Sequence, residues 1–398
     1  MSLFARFLKI ASLASAALLA ACGGGGGGGG GGTPVTDTGF IKAALTDASA
    51  CGYNQVNVTP QKLRFNTSAT AADTDPTWWE IPITSGKVNL LTLTNGTVLE
   101  LGQVQVPVGT YQQLSLVLAA NDATTPLANS VVPVGGTETA LGMPAALQSS
   151  LKIPVSIAVT KDQISDYVID FDACNSVLRL GTSGSYNLSA RLSVIQRLSA
   201  TGQRITGFVA TAFDPTTTRV SAQQNGTIIK ATNPDSTGKF ILYPLAAGTY
   251  DLVISALAAV PAVVTGVTVT ATASTDVNTN TTAINPPSSA VHTISGTVTT
   301  GTTPVDARIT IIKKYTGGPN ITTAGAPADA TTGLLAYTVS TAAPVRAPYV
   351  AGITPLVFSP DNTQPTGRYT VTATALGATK STDVDATTND PVVSFTFP

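Results

Sequence analysis

Apolar and polar residues alternate along this chain in short runs: Val56-Asn57-Val58-Thr59, Leu114-Ser115-Leu116-Val117-Leu118, Val267-Thr268-Val269-Thr270, Ile309-Thr310-Ile311-Ile312 and Tyr369-Thr370-Val371-Thr372. Successive side chains of a strand point to opposite faces, so period two in β-branched residues predicts half-buried strands. Gly, Pro and Asn-Gly punctuate the runs and predict tight antiparallel connections. Helical spacing is scarce: residues 160–166 suggest a helical turn or two, and the 25 prolines argue against long helices elsewhere. The pattern predicts an all-β protein of tandem antiparallel β-sandwich domains.

The C-terminal half repeats itself. Ile205-Thr206-Gly207-Phe208-Val209 parallels Ile294-Ser295-Gly296-Thr297-Val298, and Gly248-Thr249-Tyr250 parallels Gly367-Arg368-Tyr369. Between these marks each copy carries one strand and then a strand that begins at a glycine, Gly238 or Gly333. This order resembles carboxypeptidase-regulatory-like (transthyretin-like) β-sandwich modules, in which a glycine turn feeds a strand that starts with a buried tyrosine. The resemblance places one module at 202–283 and a second at 291–398, joined by a stiff Pro-rich linker at 284–290. The second copy is longer, and the surplus is expected in loops at 316–330 and 341–365, which are rich in Gly, Pro and Ala.

In the N-terminal half, Leu45-Thr46-Asp47-Ala48, Val56-Asn57-Val58-Thr59, Leu90 through Gly96, Val108-Gly109-Thr110-Tyr111, Ser150-Leu151-Lys152, Ile169-Asp170-Phe171-Asp172 and Ser176-Val177 stand in a fixed order. That order resembles the bacterial family known as domain of unknown function 4382, over about residues 38–197. Two departures are Ser150, where a glycine is usual, and Ser189-Ala190, where the family pattern has Lys-Pro. The resemblance implies a β-sandwich class and no mechanism.

Upstream, Arg6 and Lys9 precede an apolar stretch over 10–21 that is too short to span a bilayer, the form of an export signal. Leu19-Ala20-Ala21-Cys22 resembles the lipobox of bacterial lipoproteins, which implies a signal peptide over 1–21 and acylation of Cys22. The lipid bilayer is then a partner through Cys22, since several acyl chains together give stable anchoring. Glycines at 23–32 cannot bury apolar surface, and 22–37 reads as a lipidated cysteine followed by a flexible tether. Gly23, not aspartate, follows the anchor, and resemblance to proteobacterial lipoproteins implies a bacterial cell envelope location at the outer membrane. Only 11% of residues are charged, against roughly 25% in typical soluble domains. A net charge of -1 gives no basic footprint, so no nucleic acid is expected as a partner.

Three cysteines are present; with Cys22 acylated, Cys51 and Cys174 are expected to form a disulfide in an oxidising compartment. Closing so long a loop is worth about 5 kcal/mol in the chain-entropy model. The one histidine, His292, has no triad or zinc spacing around it, and C-x-x-C, H-E-x-x-H and G-x-S-x-G are absent. No enzyme activity is expected. Asp170 and Asp172, two apart on a predicted strand, offer a candidate calcium site with Asp47 as third donor; a solvated strand end is the other reading. No other cofactor is expected. Trp78 and Trp79 face opposite sides if they lie in a strand, so one ring fills the core and the other covers an edge, or an exposed ring stacks on a sugar. The function these features suggest is a membrane-anchored, non-catalytic interaction or scaffold protein with an envelope protein as partner. The alternative is a carbohydrate-binding lipoprotein with a glycan as partner.

Overall fold

The computed structural model describes residues 37–398 apart from 49–51, 145–149, 316–317 and 363–364. The export signal, Cys22, the glycine run and Cys51 therefore lie outside the described residues. Residues 37–398 are built from strands almost throughout and hold, within one compact unit, three large hydrophobic cores in chain order and a small fourth cluster of Val253, Val263, Tyr315 and Ile321 between the second and third. Among the described residues no helix is long and apolar enough to cross a membrane.

The first core is shared by three sheets. In one, Thr38–Asp47 lies between Leu99–Pro107 and Ile164–Phe171, and Leu192–Gln196 forms the far edge. A second pairs Leu151–Val159, Gly109–Leu118, Pro60–Asn66 and the edge strand Trp79–Pro82. Ile41, Leu45, Leu63, Phe65, Leu114, Leu116 and Ile169 are fully buried between them. The helical turn expected over 160–166 is instead a tight turn with Asp162 at φ 56°, followed directly by strand Ile164–Phe171. Apolar residues there serve a two-sided strand rather than a helix face.

The two C-terminal cores repeat one topology. In the first, Ile205–Phe208 lies between antiparallel Lys239–Leu242 and parallel Thr275–Asp276. In the second, Val291–Thr299 lies between antiparallel Leu334–Ser340 and parallel Val392–Thr396. The facing sheets run Thr227–Thr232, Arg219–Gln224, Gly248–Ser255, Ala262–Val269 and Ile321–Pro327, Ala307–Lys313, Arg368–Ala375, Ala378–Asp385. Ala307–Lys313 is buried at every second residue, as its alternation predicts.

The expected loops are partly strands. Ile321–Pro327 occupies nearly half of 316–330 and completes its own module's sheet. Within 341–365, Val345–Pro348 pairs in parallel with Ala262–Val269 of the preceding module, and Ser359–Pro360 adds to its far side. The insertion thus extends a neighbour's sheet, and Val345 enters the neighbour's core.

Candidate functional site

The parallel strands Thr38–Asp47 and Ile164–Phe171 end side by side, with Thr46 opposite Asp170 and Asp47 opposite Phe171. Their ends carry three carboxylates to the boundary with the second core. Asp170 Oδ1 accepts a hydrogen bond from Lys230 Nζ at 2.7 Å, and the same ammonium donates to the Asp47 carbonyl at 3.1 Å. Lys230 stands in Thr227–Thr232, the outer strand of the second core's large sheet. Its side chain is 3% exposed and that of Asp170 9%. Asp47 Oδ1 accepts from the Ala173 N–H at 2.9 Å, while its Oδ2 is buried without a hydrogen-bond partner.

Burial pushes the Asp47 carboxyl well above the usual carboxylate range; the Ala173 N–H opposes this, and the neighbouring Asp170 and Asp172 add to it. Burial likewise raises Asp170, against the pull of the Lys230 ammonium. Beside the pair lies a cavity of about 370 Å³, lined among others by Asp172, Arg191 and Arg219.

The calcium expectation at Asp170 and Asp172 is corrected by this geometry. The strand stops at Phe171, so Asp172 does not share a strand face with Asp170. Asp172 turns to cap the short helix Ala173–Ser176, accepting from Asn175 N at 3.0 Å and Asn175 Nδ2 at 2.8 Å. An ammonium already faces Asp170, and among the described residues no group of three or more acidic, His or Cys side chains is placed to hold a metal.

Cys174 is buried in that helix and disulfide-bonded. His292 is half-buried at the start of its strand, with Nδ1 2.8 Å from Asp390 Oδ1.

Neither tryptophan enters the core. Trp78 lies just before the edge strand, donates from Nε1 to the Ala72 carbonyl at 2.8 Å, and has the Arg64 guanidinium 4.5 Å and the Lys152 ammonium 5.9 Å from its ring centre. Its ring is therefore engaged by cations. Trp79 opens the edge strand opposite Phe65 and is 40% exposed, the only exposed aromatic among the described residues.

Further polar contacts join the three cores. Asn95 receives the Ile241 N–H at 2.5 Å and donates to the Lys239 carbonyl at 3.2 Å. Buried Gln223 donates to the Thr322 carbonyl at 2.8 Å and accepts the Thr322 N–H at 2.7 Å. The Ala330 N–H reaches the Arg179 carbonyl at 2.7 Å, and the Gly181 N–H reaches Asp329 Oδ1 at 3.1 Å. Sequence patterning does not single out Lys230, Asn95 or Gln223, because their partners lie far away in the chain. The one available signal is a lysine inside the apolar run Ile228-Ile229-Lys230-Ala231 of a weakly charged protein.

Residues 38–190 match the family model described as Domain of unknown function (DUF4382). The match covers the first core and its three sheets except the edge strand Leu192–Gln196, within the span that the ordered sequence blocks outline. No curated protein matches the chain. Among solved structures it is similar to a type II cohesin–X-dockerin complex from Acetivibrio cellulolyticus, at 22% identity over 22% of this chain and 59% of that one, with TM-score 0.19. The chain thus spans less than two thirds of that structure's length. It is also similar to a streptococcal ancillary pilin, at 7% identity over 90% of this chain and 98% of that one with TM-score 0.17. The major pilin subunit of Bacillus cereus is 11% identical over 90% and 98%, with TM-score 0.15. Likeness at these scores carries no function to this chain.

Proposed function

We propose that this protein is a lipid-anchored component of a bacterial cell envelope, held at the outer membrane through Cys22, that works without catalysis by presenting β-sandwich surfaces to a partner. The observation that carries the reading is the polar closure of the joints: Lys230 on Asp170, Asn95 on Lys239 and Ile241, and Gln223 on Thr322. The Lys230 and Gln223 contacts are buried and the Asn95 contact is partly so; together they favour one arrangement, because separating the modules would leave desolvated groups unpaired. A stiff body on a flexible glycine tether suits a scaffold that holds binding surfaces away from the membrane. Metabolic labelling with an alkyne fatty acid tests the anchor. The wild type should be labelled and Cys22→Ser should not; equal labelling of both defeats the reading.

The exposed ring of Trp79 favours a second reading, in which the edge strand Trp79–Pro82 stacks against a sugar ring of an envelope glycan. A glycan array separates the two. Under the second reading Trp79→Ala loses roughly tenfold in affinity, on the order of the 1 kcal/mol or more that a stacked aromatic contributes. No glycan bound at all keeps the scaffold reading alone, and binding that Trp79→Ala leaves intact rules out stacking on this ring.

A further inference from the structure

We propose that Lys230 and Asp170 become joined by an intramolecular amide, a covalent staple between the first core's sheet and the outer strand of the second. The amine stands 2.7 Å from one carboxyl oxygen, and both side chains are almost wholly buried. The Asp47 carbonyl, 3.1 Å from the same nitrogen, holds the amine in place. The Asp47 carboxyl is buried with Oδ2 free of any hydrogen-bond partner, and it lies within electrostatic range of both Asp170 and Lys230. An amine, a carboxyl to receive it and a second carboxyl to move protons are the groups that a condensation requires.

The step balances without any co-reactant. Proton transfer within the ion pair gives a neutral amine and a carboxylic acid. Lys230 Nζ then forms a bond to Asp170 Cγ, and the bond from Cγ to one carboxyl oxygen breaks. That oxygen leaves as water, carrying the acid proton and one proton shed by the amine. Asp47 gives a proton to the departing oxygen and takes one from the nitrogen, ending as it began. Burial that pushes both aspartates upward favours the protonated forms this step uses.

In bulk water hydrolysis outcompetes amide formation, but two features reverse that here. Folding has already brought the reacting groups together, and well-oriented intramolecular pairs reach effective concentrations on the order of 10⁵–10⁸ M. The product also replaces two desolvated charges with one neutral amide, whose N–H retains the bond to the Asp47 carbonyl. A buried ion pair is a weak device for stability, whereas a covalent link across the joint is permanent.

A peptide map of the folded, full-length protein tests this. After reduction, trypsin acting on an unlinked chain releases 162–179 and 220–230 as separate peptides, because Lys161, Arg179, Arg219 and Lys230 are all cleavable. A linked chain resists cleavage at Lys230 and yields 162–179 joined to 220–239, lighter than its parts by one water. Lys230→Arg should abolish the branched species. Asp170→Asn should keep it, since a side-chain amide expels ammonia and gives the same product. Asp47→Ala, once circular dichroism shows it folded, should release the two peptides unlinked; a branched species there removes Asp47 from the step. Free 162–179 and 220–230 from the folded wild type overturn the proposal whatever the variants do.

Discussion

Single aspartates placed two residues before a threonine close many of the turns: Asp75 with Thr77, Asp122 with Thr124, Asp214 with Thr216, Asp235 with Thr237 and Asp385 with Thr387. Each carboxylate accepts the N–H two residues on, and this local bond competes with regular structure and fixes the bend. The threonine hydroxyl, and then its N–H, hold Asp75, Asp214 and Asp385 below the usual carboxylate range. The Thr124 hydroxyl and the Thr125 and Thr124 N–H groups bring Asp122 down to about 2. A carboxylate whose folded pKa is depressed adds stability above its unfolded value and loses it as pH falls through the folded one. Melting temperature should therefore drop steadily from about pH 5 toward about pH 2. Thermal scans of the Asp122→Asn/Asp214→Asn/Asp385→Asn variant should start lower at neutral pH and fall less steeply with acid. A fall as steep as in the wild type counts against these turns as the acid-sensitive groups.

At the scale of elements, sequence was informative wherever a residue type answers a local demand. Gly238 and Gly333 open equivalent strands at φ 78° and 69°, and a Cβ at either would collide with the carbonyl of Val209 or Val298. At Gly207 a Cβ would lie 2.6 Å from the Phe240 ring. The repeat of Ile-x-Gly and Gly-x-Tyr is visible because both copies meet the same constraints. Tyr250 and Tyr369 are both buried, as the pattern implies, with hydroxyls bonded to the carbonyls of Ala246 and Ser340. Segments whose identity depends on a distant edge were not legible. Val345–Pro348 reads as loop because nothing local marks it as a strand, and an open edge on the neighbouring sheet makes it one. The candidate site divides in the same way. Asp170 stands out as a carboxylate in an apolar strand, but Lys230 lies sixty positions on, and Asp172 is read onto the wrong surface because the strand ends one residue earlier than alternation suggests. Trp78 escapes the core because its place precedes the strand and its ring is held by Arg64.

For the whole molecule, the question is whether the modules move as one, and Gln223 decides it. Its amide is fully buried at the joint between the second and third cores, where it satisfies both the N–H and the carbonyl of Thr322 as a sheet neighbour would. Thr322 in turn donates from its hydroxyl to the Gly226 carbonyl, so the contact ties Ile321–Pro327 to the turn between Arg219–Gln224 and Thr227–Thr232. Truncating the glutamine strands two backbone groups in a buried place, at roughly 1–3 kcal/mol for each group left unpaired. Gln223→Ala should thus lower stability by about 2–4 kcal/mol. Its neighbour supplies the control: Gln224 is exposed and donates only to the Thr249 carbonyl at 3.1 Å, so Gln224→Ala should stay within about 0.5 kcal/mol of the wild type. Hydrogen exchange read by mass spectrometry distinguishes a loosened joint from a general loss of stability. If the joint is what couples the cores, Gln223→Ala raises exchange first in Ile321–Pro327 and Thr227–Thr232 and leaves Gly109–Leu118 protected. Uniform exchange across all three cores would mean that the modules unfold together for some other reason, and that the polar joints are not what makes this chain a single stiff body.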